Sequence, residues 1–241
     1  MTLLTIVQAI CDEVGVQKPT TVVGSAEPTA IQMLALANRG GKILARRSKG
    51  MGGWTVLMKE NEFETVASDP GYDLPSDFDH FVDETLWDRE NFWKLRGPIT
   101  AQEWQVYKSG LVSSGPRRRV RLKPESGVRK FYVDPTPDAA ETLVYEYITK
   151  NWCQSASGTG QSAWAADTDV PLLDDQLIEM DLRWRFLRAK QLDYAEEKQE
   201  FELELNQALA RDGGNRKLHV GSDGDVAIDD GVNVPDGSWL Q

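Results

Sequence analysis

The chain has 241 residues, a formal net charge of −11, and 40% hydrophobic and 27% charged residues. This composition describes a soluble globular protein with room for one large or two small domains, and the acidic balance excludes a protein that wraps nucleic acid with its whole surface. Two cysteines, Cys11 and Cys153, are too few for a disulfide framework and form no CxxC pair, so buried free thiols and synthesis in a reducing cytosol are expected.

The N-terminal stretch lacks a basic run and leads into Asp12 and Glu13, so no targeting segment is expected, and no apolar run reaches the length of a membrane span. Thr2 is placed to cap a helix over Leu3–Val14, with Leu4, Val7, Ile10, Cys11 and Val14 on its apolar face and Gly15 as its stop. A second helix begins at Pro28, a residue accepted in a first turn, and runs to Arg47 through Ile31, Leu34, Ala35, Ala37, Ile43 and Leu44. Gly40-Gly41 inside it costs up to about 1 kcal/mol per glycine relative to alanine. The close approach of another helix would be a reason to keep small residues there.

From Trp54 to Trp152 the pattern changes to short apolar runs between turn residues. Val120, Leu122, Phe131 and Val133 alternate with polar neighbours, as does the run from Leu143 to Ile148, and Pro124 to Gly127 reads as the turn of a hairpin. The runs 79–88 and 101–108 are read as short helices. Residues 153–169 are rich in Ser, Gly, Ala and Asp and read as a linker loop.

From Leu173 to Arg211 there is neither Pro nor Gly. Leu173, Leu177, Met180, Trp184, Leu187, Tyr194, Phe201 and Leu205 recur at helical spacing. The expectation is one very long helix of roughly 60 Å, against an ordinary length of about 11–12 residues. Its charges are sorted: Arg183, Arg185, Arg188 and Lys190 come first, then Glu196, Glu197, Glu200, Glu202 and Glu204. Like charges at i,i+4 weaken an isolated helix, so the second half is expected to need partners. A solvated domain helix is the plainer reading. The functional one is a head-to-tail contact in which the basic half of one copy meets the acidic half of the next. On that reading Arg183, Arg185, Arg188, Lys190, Glu196, Glu200, Glu204, Trp184 and Phe201 form an oligomer interface. After Gly213-Gly214, residues 215–241 are too polar to order alone. Leu218, Val220, Ile228, Val234 and Trp239 are the candidate anchors of a tail laid on a neighbouring chain.

Catalytic signals are sparse. His80 and His219 are isolated, and Gly40-Gly41-Lys42 lacks the upstream glycine and the following Ser/Thr of a phosphate loop. Asp77, Asp79, Asp83 and Glu84 are the candidates for the acidic pair of a glycosidase such as a cell-wall hydrolase, though in so acidic a chain such clusters are ordinarily solvated. No cofactor and no metal are expected. The counter-current is basic: Arg117, Arg118, Arg119 and Arg121 on a strand, with Lys123, Arg129 and Lys130 following. Such a face either keeps a strand soluble or meets phosphate or an acidic protein, and the acidic chain favours an acidic surface of another copy or partner.

Several stretches together resemble the head-to-tail adaptor (connector) proteins of tailed phages, the ring between portal and tail in short-tailed viruses. They are TLLTIVQAICDEVGV, AIQMLALANRGGKILARR, WTVLMKENEFETV, GYDLPSDFDHFVDETLWDR and VPLLDDQLIEMDLRWRFLRAK, with Tyr72, Leu74-Pro75 and Asp77-Phe78 the most recognisable core. The resemblance covers about Thr2 to Arg211. It implies a structural virion protein rather than an enzyme, with an α+β fold. A helical portal-docking domain (1–53 and 170–212), including the long helix, would carry an inserted, mostly antiparallel β-rich domain facing the tail (54–152) and end in an extended tail (213–241). It further implies a twelve-membered homo-oligomeric ring between the portal protein and the tail tube or nozzle, with DNA passing through without specific binding and no membrane involved.

Overall fold

The structure is a computed structural model and describes residues 1–47, 53–110 and 118–212. In chain order the elements are α1 (Leu3–Val14), α2 (Pro28–Ala45), a 3-10 turn (Thr55–Leu57), β1 (Met58–Glu64), β2 (Gly71–Asp73), β3 (Phe78–Phe81), β4 (Trp87–Asp88), β5 (Trp93–Lys94) and α3 (Ala101–Lys108). Then follow β6 (Arg119–Glu125), β7 (Val128–Asp134), β8 (Thr142–Thr149), β9 (Cys153–Gln154), β10 (Gly160–Gln161), β11 (Val170–Pro171), α4 (Asp175–Ala189) and α5 (Ala195–Asp212). The run 79–88, expected to add a short helix, supplies β3 and β4 instead.

These residues form two compact units, one built from Met1–Lys59 together with 148–212, the other from Glu60–Tyr147. In the first, Thr2 and Thr5 cap α1 reciprocally, each side chain accepting the other's backbone N–H. Gly15 at φ 70° ends the helix. The N-terminus of α1 is also held from the far end of the sequence, because Leu3 N–H and Leu4 N–H donate to the carbonyls of Asp169 and Asp167. The Asp167 carboxylate accepts the N–H groups of Val22 and Val23, and that of Asp169 closes its own turn by accepting from Ala165 and Ala166. Residues 153–171 thus carry the small antiparallel sheet β10-β9-β11 and two aspartates that tie α1 and the loop after it to this segment.

Leu3, Ile6, Val7, Ile10 and Cys11 of α1, Met33 and Leu44 of α2, and Leu177, Ile178, Leu182 and Phe186 of α4 are buried. The glycine pair in α2 makes this core possible. A Cβ at Gly40 would lie 2.1 Å from Asp181 Oδ2, and one at Gly41 would lie 2.3 Å from the Trp152 ring.

The long helix expected from Leu173 to Arg211 is not formed. α4 ends at Ala189 and α5 begins at Ala195. Gln191 adopts φ 60°, its N–H donates to Arg188 C=O, and Leu192 N–H reaches back to Leu187 C=O. This is the Schellman arrangement, closed here by an L-residue in the left-handed region rather than by glycine. Asp193 Oδ1 then accepts Ala195 N–H and starts α5. Folding back buries Phe201 and Leu205, each worth about 1.5–3 kcal/mol, and brings Phe201 and Tyr194 to 6.3 and 6.5 Å from the Trp184 ring. It also places Arg183 2.7 Å from Glu197. A straight helix would forgo that burial and leave Glu197 without Arg183. The expected extended C-terminal tail, 213–241, lies outside the described residues.

The second unit has two mostly antiparallel sheets: β1-β8-β4-β5, with β3 also paired to β8, and β2-β7-β6. β6 and β7 are joined through Ser126 and Gly127, both at positive φ, the requirement of a two-residue primed turn. The register pairs Val120 with Val133 and Leu122 with Phe131, so the inward residues meet across the hairpin. The core is aromatic: Phe131 stacks on Tyr145 at 5.4 Å, Phe81 meets Tyr145 edge-on at 5.0 Å, and Phe78 stacks on Tyr147 at 5.7 Å.

A methyl group at position 41 tests the α2 packing. Alanine favours a helix over glycine by about 1 kcal/mol, but overpacking a rigid core costs about 1–3 kcal/mol, and the obstacle is a buried indole. Gly41→Ala should therefore lower the urea midpoint of unfolding. A raised midpoint would show that α2 and Trp152 do not approach so closely.

Candidate functional site

Among the described residues no three His, Cys, Asp or Glu side chains are grouped to hold a metal ion. The four acidic candidates are dispersed in their bonding. Asp77 accepts the Tyr147 hydroxyl at 3.0 Å, Asp79 lies 2.8 Å from His80 Nδ1, Asp83 is exposed, and exposed Glu84 is 3.8 Å from Lys94. A cleft of about 580 Å³ in the second unit takes in Glu84 but not the other three, beside Glu60, Asp88, Glu146, Trp87 and Phe92. Asp88 in that cleft is committed to structure: its carboxylate accepts from Glu90 N–H, Asn91 N–H and Asn91 Nδ2, shaping the β4–β5 hairpin.

The basic strand is largely spent inside its own unit. Arg118 is mostly buried, pairs with Glu141 and donates to Pro135 C=O. Arg119 lies 3.5 Å from Asp134, and its guanidinium sits 3.6 Å over the Tyr107 ring. Arg121 and Lys123 flank Trp104 at 6.0 and 5.7 Å, and Lys123 also covers Tyr132 at 4.6 Å. These are cation–π contacts that fix α3 on the hairpin. Arg117 lies outside the described residues, as do the tail anchors Leu218, Val220, Ile228, Val234 and Trp239.

The charges of α4 are used in a similar way. Arg183 bridges Glu197 of α5 and Glu13 of α1, at 2.7 and 3.0 Å. Arg185 Nε donates to Asp181 Oδ2 at 2.7 Å, and Trp184 Nε1 donates to Asp181 Oδ1 at 3.2 Å. Burial pushes the Asp181 carboxyl above the usual carboxylate range, against the pull of Arg185. Trp184 and Phe201 are core residues. Arg188 and Lys190 remain exposed at the end of α4, and Lys190 lies 5.3 Å from the Phe186 ring. In α5, Glu204 pairs with Arg211 at 2.6 Å, while Glu196 and Glu200 are exposed without an ion pair among the described residues.

One charged surface escapes the sequence reading. On α2 and the two residues that follow it the exposed positions are Pro28, Ile31, Ala35, Arg39, Lys42, Ile43, Arg46 and Arg47. Arg47 lies 3.4 Å from Glu202, but Arg39, Lys42 and Arg46 make no ion pair among the described residues. Their spacing of three and four was legible and puts them on one face, but the eye is drawn to the denser arginines of β6. The unit therefore exposes an unpaired basic stripe on α2 and an unpaired acidic stripe on α5. These two faces are its candidate functional surface.

Against known families, the sequence model described as SU10 adaptor protein matches residues 1–225. No curated protein matches the chain.

The Asp181–Arg185 pair predicts a pH dependence. A carboxyl whose pKa is raised by folding contributes stability that is fully present below its unfolded pKa and lost as pH rises through the folded value. Arg185→Gln removes the counter-charge and should cost about 3 kcal/mol near neutral pH. The cost should shrink below the unfolded carboxylate pKa of about 4, where Asp181 is protonated in both states. Urea unfolding at the two pH values checks this, and an equal loss at both would mean that Arg185 acts by packing alone.

Proposed function

The chain belongs to the SU10 adaptor protein family, a family of phage head-to-tail adaptors, and on that premise we propose that it forms a ring that docks on the portal, extends the DNA channel and offers the attachment platform for the tail tube or nozzle. Membership gives it a structural role in the virion, in contact with other virion proteins such as those of the portal and tail. No helix among the described residues is long and apolar enough to cross a membrane. The observation that carries the reading is the family match across both units. In this proposal the helical unit meets the portal and the β-rich unit faces the tail. Twelve copies close the ring, as the resemblance implies.

Charge supports the same reading. A chain of net charge −11 that internalises much of its basic strand presents a predominantly acidic exterior. A bore with that balance repels a passing duplex rather than gripping it. The exposed stripes of opposite sign suit assembly into a larger body.

The test is the native mass of the full chain alone and mixed with its cognate portal. The expected result is a small species alone and a stoichiometric ring on the portal. A chain that ignores the portal at all concentrations overturns the docking.

A further inference from the structure

We propose that the basic stripe of α2 on one copy packs antiparallel against the acidic stripe of α5 on a second copy of this chain. The inference rests on the assembly reading above and names the surfaces that would carry it.

Each stripe lacks a partner of opposite sign among the described residues. Arg39, Lys42 and Arg46 are like charges three, four and seven apart on one exposed face, an arrangement that weakens a helix unless something of opposite sign covers it. Glu196 and Glu200 on α5 stand in the mirror situation, four apart and exposed. The helix dipole accounts for part of this. Lys42 and Arg46 lie at the C-terminal end of α2, and Glu196 in the first turn of α5, where such charges are favoured. It does not account for Arg39 or Glu200, which lie further in. Nor does it account for the apolar residues on the same faces: Ile31 is 52% and Leu203 58% exposed.

The order of residues then fixes a direction. Read backwards, α2 presents Lys42, Arg39, Ala35 and Ile31. Read forwards, α5 presents Glu196, Glu200, Leu203 and Gln207. Both series advance by steps of three and four, the rows along which helices interlock. Laid antiparallel, Lys42 meets Glu196, Arg39 meets Glu200, and Ala35 and Ile31 flank Leu203. A parallel arrangement sets the charges of each helix against the apolar part of the other. Exposed ion pairs contribute about 0–1 kcal/mol each. The charges therefore select partner and direction, while Ile31 and Leu203 add burial.

Complementarity favours a second copy over other occupants. The contact uses two different faces of the same unit, so each bound copy leaves one face of each sign free for the next, as a heterologous assembly requires. The Arg183–Glu197 bridge already joins α4 to α5 within the chain, so these two charges are engaged inside one copy.

Charge reversal with complementation tests it, using full-length chain and cognate portal. R39E/K42E and E196K/E200K alter only exposed residues, and unchanged thermal melts would confirm that both fold. Each variant alone should give partly filled portals by native mass spectrometry, with apparent affinity for the growing assembly lowered about tenfold or more, a change of about 1.4 kcal/mol per tenfold. An equimolar mixture should restore full occupancy, because the reversed α2 of one variant matches the reversed α5 of the other. If each variant fills the portal as the wild type does, the contact is wrong and the adaptor role stands. If both fail and the mixture is not rescued, the stripes meet something other than a second copy, and the inference is overturned. If the wild type itself ignores the portal, the docking proposal falls. Sedimentation of the same samples at low salt then decides the contact: wild type and the mixture associating, with neither variant doing so, supports it, and no such pattern overturns it.

Discussion

At Gly40 and Gly41 the α2 backbone lies against the Asp181 carboxylate and the Trp152 ring, and no side chain fits between. Much of the helical unit follows from that approach. It seals Asp181 away from water, and the sealed carboxylate then needs donors, which Arg185 and Trp184 supply from the next turn of α4. The same bond fixes the indole of Trp184, on which Tyr194 and Phe201 settle when the chain turns back. Two missing side chains on α2 thus lead, through one buried acid, to the seating of α5.

Local chemistry made several elements readable in the sequence. The Thr2 cap and the Gly15 stop delimit α1 from both sides, and the β6–β7 hairpin announces itself by alternation around a glycine-containing turn. The break between α4 and α5 was not readable. Helix stops are recognised by glycine or proline, and here Gln191 takes the left-handed conformation without either. Apolar spacing runs on across the gap, because residues on both arms of a helical hairpin face the same core. The strands β3 and β4 were hidden for a related reason: Phe78, Phe81, Leu86 and Trp87 are spaced as readily for a helix as for two short strands.

The candidate surface was half legible. Glu196 and Glu200 stood out because nothing nearby balances them. The basic partner was sought in the densest run of arginines, yet density was misleading. Arginines next to tyrosines, tryptophans and acids tend to be consumed by them when the strand pairs, as Arg118 and Arg119 are. The cations on α2 are fewer, but their helix turns them outward where none of the described acids reaches Arg39 or Lys42. Which charges survive as surface depends on neighbours distant in sequence, such as Glu141 for Arg118, and periodicity alone does not reveal them.

The way the chain is partitioned has a consequence for its synthesis. The unit from Glu60 to Tyr147 is contiguous and can complete its core as soon as β8 leaves the ribosome. The other unit is split: α1 and α2 emerge first, but Leu177, Ile178, Leu182 and Phe186, and the Asp169 and Asp167 carbonyls that meet the start of α1, arrive more than a hundred residues later. At about 5–20 residues per second this is an interval of many seconds, during which the apolar faces of the first two helices wait uncovered. Of the two units, the one begun first is therefore the one finished last, and a chain released before α4 would leave those faces open to whatever host chaperone is nearby.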